Sequence, residues 1–335
     1  MGSDSIHPPE AMGEYLQLLK ERDAPLLLPG TEDFRPEFLE DIPCPLCGGE
    51  NLISLFPVRN VFMVRCGDCT LVYVNPRFRR DELERLHDGS AAYRYFYEKI
   101  LLPTTDFRIL NIFLPRVRRI EATVKNLSGK LLDIGFGPGQ FLELAAEQGW
   151  ETEGVETNGA AIELFRQRNP TVKLHKGRVE ELNLQPGGYQ VITLWETLEH
   201  LHDPLGMLKG IHALLEKGGW FFLTTPNIEG FEYKALGSRG RIDPLNHIVW
   251  FNPQTLRRIL EETGFTNITV ESVGMFDLDF VLDSIKNHPS SGVVDAWLLN
   301  IEKEPIFADF KKDFAALLNK YKIGGNLFAY ARKQR

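Results

Sequence analysis

From Lys130 to Thr225 the chain alternates short apolar runs with longer stretches whose apolar residues recur at helical spacing, the pattern of parallel strands covered by helices. Leu131-Leu132-Asp133-Ile134 reads as the first strand. It runs into Gly135-Phe136-Gly137-Pro138-Gly139, and Gln140 to Gln148 then has helical spacing that ends at Gly149, a C-cap signal. A second strand around Thr152 to Val155 ends at Glu156, and Asn158 caps a helix reaching about Arg168. Val172 to His175, Val191 to Leu194 and Trp220 to Thr225 follow as third, fourth and fifth strands. A helix from Pro204 to Leu215, stopped by Gly218-Gly219, joins the last two. Farther on, Asn252 and Pro253 open a helix, and Phe307 to Tyr321 is helical.

Ahead of this segment stand four cysteines, as Cys44-Pro45-Leu46-Cys47-Gly48-Gly49 and Cys66-Gly67-Asp68-Cys69-Thr70. Two C-x-x-C knuckles at this spacing predict a four-thiolate metal site. The glycines after Cys47 and Cys66 let backbone amides turn toward the sulfurs. Ile53, Leu55, Phe56, Val58, Val61, Phe62 and Val64, between the knuckles, read as short strands too small to hold a core alone, so metal binding supplies folding energy there. Cys44, Cys47, Cys66 and Cys69 are expected to hold a structural Zn2+, with rubredoxin-like iron the alternative ion. Disulfides are the competing use, and a reducing compartment disfavours them. Four protein thiolates leave no open coordination position, so the ion is not expected to be catalytic.

The 335 residues are 43% hydrophobic, 25% charged and 11% aromatic, which excludes fibrous and wholly disordered classes. No apolar run is long enough for a membrane span, and no leader pattern is present, so a cytoplasmic protein is expected. A net charge of −8 argues against a long phosphate backbone as the main ligand. The arginines at 77, 79, 80 and at 116, 118, 119 read as solvated helix faces. The expected partner is a small molecule.

A strand, a Gly-rich turn and a helix N-terminus form a cradle for a ligand lying against backbone. Glu156 lies about 20 residues beyond the glycines, where a carboxylate accepts ribose hydroxyls. Dinucleotide-binding domains share that much. Here, however, Gln140 stands where the third glycine of a dinucleotide fingerprint belongs, and Asp133 where such strands are usually apolar. Another nucleoside ligand is favoured over NAD.

Leu131 to Gly139, Gly154-Val155-Glu156 and Val191 to Leu201, which ends in Leu198-Glu199-His200-Leu201, resemble the class I S-adenosylmethionine-dependent methyltransferases in order and spacing. The cysteine segment resembles the N-terminal zinc module of a subgroup rich in enzymes that modify sugars, lipids and secondary metabolites. The resemblance implies an α/β, Rossmann-like, seven-stranded and mostly parallel sheet with helices on both faces. The last strand, at Asn326 to Arg332, would be antiparallel, inserted between the fifth and sixth. The expected divisions are residues 1–40, an N-terminal arm; 41–78, the zinc ribbon; 79–128, a helical connection or lid; and 129–335, the methyltransferase domain with a helical insertion around 275–323.

By the same resemblance, S-adenosylmethionine contacts Asp133, Gly135, Gly137, Gly139, Glu156, Thr157, Val179, Glu180, Trp195 and Glu196. The family often places an acid after the glycine that follows the third strand. This chain has Gly177-Arg178-Val179-Glu180, leaving the adenine amino group to Glu180 or a backbone carbonyl. Methyl transfer to a hydroxyl benefits from a general base near neutral pH. His247, in the loop before Asn252, is the first candidate and His200 the second; His202 is expected to be exposed. The aromatic run Tyr93 to Tyr97 either closes over the cofactor or packs a helix onto the core. The insertion forms a lid or a homodimer contact. The sequence thus predicts methyl transfer to a small-molecule or glycoconjugate acceptor, at oxygen first and carbon second. An RNA base methyltransferase gripping RNA with its ribbon, a non-catalytic scaffold and a nicotinamide oxidoreductase are the alternatives.

Overall fold

A computed structural model describes residues 8–124, 129–240, 242–287 and 292–334. Parts of the expected arm (1–7), connection (125–128) and insertion (288–291) lie outside the described residues.

Helix α1 (Pro9–Asp23) precedes the cysteine segment, whose strands β1 (Leu52–Val58), β2 (Val61–Cys66) and β3 (Val72–Asn75) form an antiparallel meander. Helices α2 (Arg80–His87), α3 (Ala91–Tyr95) and α4 (Leu114–Thr123) lead to strand β4 (Lys130–Ile134). The alternation then continues as α5 (Gln140–Glu147), β5 (Glu151–Glu156), α6 (Gly159–Arg168), β6 (Lys173–Lys176), β7 (Tyr189–Trp195), α7 (Pro204–Leu214) and β8 (Leu215–Pro226). After α8 (Phe231–Leu236) come the short strand β9 (Val249–Trp250), α9 (Pro253–Glu262), β10 (Phe265–Val273), α10 (Asp277–Asn287), α11 (Val293–Ile301), α12 (Phe307–Tyr321) and β11 (Asn326–Lys333).

The main sheet has seven strands in the order β10-β11-β8-β7-β4-β5-β6. β4 to β8 are parallel, and β11 runs antiparallel between β8 and β10, as the resemblance implied. Successive residues of a strand point to opposite faces. Accordingly Leu131, Val191 and Phe222 join one apolar cluster with Phe141 and Phe165 of α5 and α6. Leu132, Ile192 and Phe221 join another with Met207 and Ile211 of α7 and Leu256 and Ile259 of α9. Helices therefore cover both faces. Among the described residues, no helix is long and apolar enough to cross a membrane.

One expected boundary is corrected. α7 ends at Leu214 and β8 begins at once, running through Gly218-Gly219 with a register shift between Leu215 and Trp220. The glycines serve an irregularity inside the strand, where they are tolerated, and do not stop the helix.

The cysteine segment shares its core with the main sheet: Met63, Val72, Tyr73 and Val74 belong to the same cluster as Trp250, Phe251 and Leu223. β9 joins the edge of the small sheet, Val249 opposite Tyr73 and Trp250 opposite Val72, and Val74 N–H donates to the Ile248 carbonyl. Between the two knuckles, the Cys44 and Cys69 sulfurs lie 3.5 Å apart, as do those of Cys47 and Cys66. Tetrahedral zinc with bonds of about 2.3 Å needs sulfurs about 3.8 Å apart, so the four thiols fit the ion. Gly48 N–H and Thr70 N–H close the two knuckle turns on the Cys44 and Cys66 carbonyls.

Candidate active site

A cavity of about 1090 Å³ opens at the carboxyl ends of β4, β5 and β7, where α/β sheets bind ligands. Its floor begins with the turn after β4. Gly135, Gly137 and Gly139 all have positive φ, open to glycine without a side-chain clash. A Cβ on Gly139 would strike the Phe165 ring, whereas one on Gly137 would meet nothing within 4 Å. Gly137 therefore presents bare backbone to the cavity.

Glu156 ends β5 at the cavity wall. Its Oε2 accepts from Gly137 N–H at 2.9 Å, and its Oε1 from Thr157 N–H at 2.7 Å and Asn158 N–H at 2.9 Å. Those bonds aim the carboxylate, and Oε2 retains a lone pair for a further donor. Thr157, Val179 and Glu180 also line the cavity. Arg178 is drawn to Glu84 and Glu181, with Glu180 3.6 Å away. Asp133 is buried at the base and accepts from Thr193 Oγ1 at 2.7 Å. Burial pushes its carboxyl up to about 7, partly countered by that hydrogen bond and by Arg116.

At the end of β7, Trp195 lines the cavity with its buried Nε1 making no hydrogen bond, and Glu196 is held at φ 47°, a strained position for a residue with a side chain. Asn326 Nδ2 and Arg116 donate to Glu196 Oε1 at 3.2 and 3.4 Å. Arg116 is the main departure from expectation. Rather than a solvated helix face, it turns inward from α4 and stacks 4.7 Å over the Trp195 ring. Arg108 also reaches the cavity wall, and burial together with Arg116 brings its pKa down to about 10. Both were missed because a charged residue in a helical connection looks alike on either face until the helix is docked.

The loop after β7 supplies Glu199 and His200, and the loop before β9 supplies His247. The two imidazole rings are 4.9 Å apart. His200 Nδ1 lies 2.6 Å from the Asn246 carbonyl, and His200 Nε2 is 3.8 Å from Glu199 Oε1. Burial pushes the Glu199 carboxyl well up and the His200 imidazole down. Glu199 went unassigned in the sequence because its tetrapeptide reads equally as a loop brace. His202, expected to be exposed, is half-buried, 2.9 Å from the Phe78 carbonyl. From the other side, Tyr15, Tyr93, Phe96 and Tyr97 line the cavity, as do Met275, Phe276 and Phe280 at the start of the insertion.

Residues 109–270 match a family model described as a methyltransferase domain. That stretch of the chain is similar to a methyltransferase domain. The chain is 35% identical over 132 residues to the ubiquinone biosynthesis O-methyltransferase of Bordetella bronchiseptica, an alignment covering 37% of this chain and 55% of that protein. The protein of the same name from Nitrosospira multiformis is 27% identical over 186 residues, 52% of this chain and 77% of its own length. The chain thus spans little more than half the length of the Bordetella relative. Among solved structures, a SAM-dependent methyltransferase from Archaeoglobus fulgidus is similar at 20% identity with a TM-score of 0.45, covering 68% of this chain and 98% of that one. The matched span takes in Arg116, Glu156, Glu199, His200 and His247.

Proposed function

We propose that the chain transfers a methyl group from S-adenosylmethionine to a hydroxyl oxygen of a small-molecule or glycoconjugate acceptor. One observation carries this reading: a single cavity joins the Gly137–Glu156 cradle to the Glu199–His200–His247 cluster. The relatives' names as O-methyltransferases support oxygen as the acceptor atom. S-adenosylmethionine, when bound, supplies a methyl on a sulfonium sulfur, which an acceptor oxygen displaces in line while the C–S bonding pair stays on sulfur.

The residues align and prepare the partners. We assign the Gly135 and Gly137 backbone to the methionine portion, Glu156 to the ribose hydroxyls, and Trp195 with Glu196 to the region of the sulfonium. The hydroxyl loses its proton at the Glu199–His200–His247 cluster, with His247 the first residue to test. Burial favours neutral imidazole in His200, so its ring can take part uncharged near neutral pH. The aromatic wall of Tyr15, Tyr93, Phe96, Tyr97, Phe276 and Phe280 suits an acceptor with a flat, apolar portion and keeps water from the methyl.

Calorimetric titration of the zinc-loaded protein with S-adenosylmethionine, S-adenosylhomocysteine and NAD tests the reading. Both sulfur ligands are expected to bind, and Glu156→Ala to weaken them at least tenfold; binding of NAD alone would overturn it. His247→Ala should keep S-adenosylhomocysteine affinity within about twofold while methylation of hydroxylated acceptors falls by about 10² or more.

A further inference from the structure

We propose that Glu84, on helix α2 of the connection, reads the nucleobase of S-adenosylmethionine by accepting a hydrogen bond from the adenine amino group. This rests on the methyl-transfer reading, and it places one cofactor contact outside residues 109–270, the stretch that matches the family model.

Helix α2 presents one face to the cavity. Arg80, Leu83, Glu84 and His87 all line it, and their three- and four-residue spacing is that of a single helical stripe. Two hydrogen bonds set where the stripe lies. Asn158 Nδ2 donates to the His87 carbonyl at 3.2 Å, so the end of α2 sits beside the loop that follows Glu156. Gly177 N–H donates to the Glu156 carbonyl at 3.0 Å, so the loop from Gly177 to Val179 flanks the same residue. The gap between α2 and that loop is therefore the part of the cavity next to the ribose acid, where a base joined to the ribose belongs.

The walls of this gap suit a purine. Leu83 of α2 and Val179 of the loop are each 4% exposed and line the cavity, which gives a flat ring apolar contact. An exocyclic amino group only donates, so the remaining need is an acceptor, and a guanidinium such as that of Arg178 has none to offer. What Arg178 does is gather carboxylates: it is hydrogen-bonded to Glu84 and Glu181, with Glu180 at 3.6 Å. Of those three acids, Glu84 and Glu180 line the cavity.

Arg178 decides between the two. Its Nη1 donates to Glu84 Oε1, whereas 3.6 Å to Glu180 is too long for a hydrogen bond. A carboxylate with one oxygen fixed by a guanidinium keeps the other, here Oε2, for a second donor. Being held already, it loses less side-chain freedom when the ligand arrives. The same helix reaches the acceptor loop through His87, whose Nε2 lies 3.1 Å from the Leu245 carbonyl.

The test compares two ligands by calorimetry on the full zinc-loaded chain: S-adenosylhomocysteine, and S-inosylhomocysteine, in which an oxo group replaces the amino group. The unsubstituted protein is expected to prefer the adenine ligand at least about tenfold, since a carboxylate accepts from an amino group and repels an oxo oxygen. Glu84→Ala should weaken S-adenosylhomocysteine about tenfold and leave S-inosylhomocysteine within about twofold, removing the preference. Glu84→Gln, whose amide can accept or donate, should cut the preference to about twofold, and Glu180→Gln should keep it whole. The Glu84 side chain is 54% exposed, so its variants are expected to melt at the native temperature. Equal weakening of both ligands in the Glu84 variants, a preference that survives them, or one that Glu180→Gln abolishes would each overturn the assignment. A native protein that binds both ligands without preference loses only this inference, and one that binds neither loses the methyl-transfer reading itself.

Discussion

Gly137 and Gly139 stand two residues apart at similar φ, 54° and 83°, yet they serve different needs. Any residue other than glycine costs about 1–2 kcal/mol in this region. At Gly139 the added Cβ also meets Phe165, whereas at Gly137 it enters the open cavity. Gly139→Ala should therefore lower the melting temperature more than Gly137→Ala, while Gly137→Ala should weaken S-adenosylhomocysteine at least tenfold for a stability loss near 1 kcal/mol. Thermal melts and calorimetry on both variants check this, and equal effects on both quantities would remove the distinction. The cradle was legible because glycine and a strand-end carboxylate are local signals. Arg116, Arg108 and Glu199 were not, because a charged residue's direction depends on which helix or loop it faces.

Among the elements, two-residue β9 has the widest reach. It pairs with β3 of the cysteine segment, begins two residues after His247, and leads to α9, whose cap residue Asn252 contacts Thr70 of the second knuckle at 3.4 Å. The knuckles thus hold the acceptor loop, and the cradle lies on other strands. Cys66→Ser should lower the melting temperature by several degrees and cut methyl transfer, while S-adenosylhomocysteine affinity stays within about threefold. An equal loss of nucleoside affinity would show the segment supporting the whole fold instead of the acceptor loop. The helical and strand spans after Lys130 were readable from period and caps, as Asn158 and Asn252 show. β9 was not, since two residues carry no period and take their strand geometry from a partner far away in the chain.

At the level of the whole molecule, the cavity is closed by segments distant in sequence. His87 at the end of α2 lies 3.1 Å from the Leu245 carbonyl, Nε2 donating, and joins the helical connection to the acceptor loop. Burial, with Arg22 nearby, pushes its imidazole down to about 3. Because the folded value lies below the ordinary 6.5 or so, the unfolded chain binds the extra proton, and stability is full above pH 6.5 and falls as the pH drops toward 3. The slope from this group is up to about 1.4 kcal/mol per pH unit. His87→Gln should flatten the decline in melting temperature between pH 6.5 and 4.5. A decline as steep as that of the unmodified protein would place the acid sensitivity elsewhere.

By itself the sequence determined what depends on neighbours along the chain: the two cysteine knuckles, the strand–glycine–helix cradle ending in Glu156, the alternation that builds the sheet, and the histidines offered to the acceptor. Each is encoded by residues within a few positions of one another, where backbone geometry and side-chain period act directly. Only the tertiary structure decided that Arg116 faces the cavity, that β9 ties the acceptor loop to the knuckles, and that Glu199, His200 and His247 converge. Those outcomes depend on apolar faces burying one another across long separations. Burial sets which elements meet, and the polar groups carried on them are brought together as a consequence.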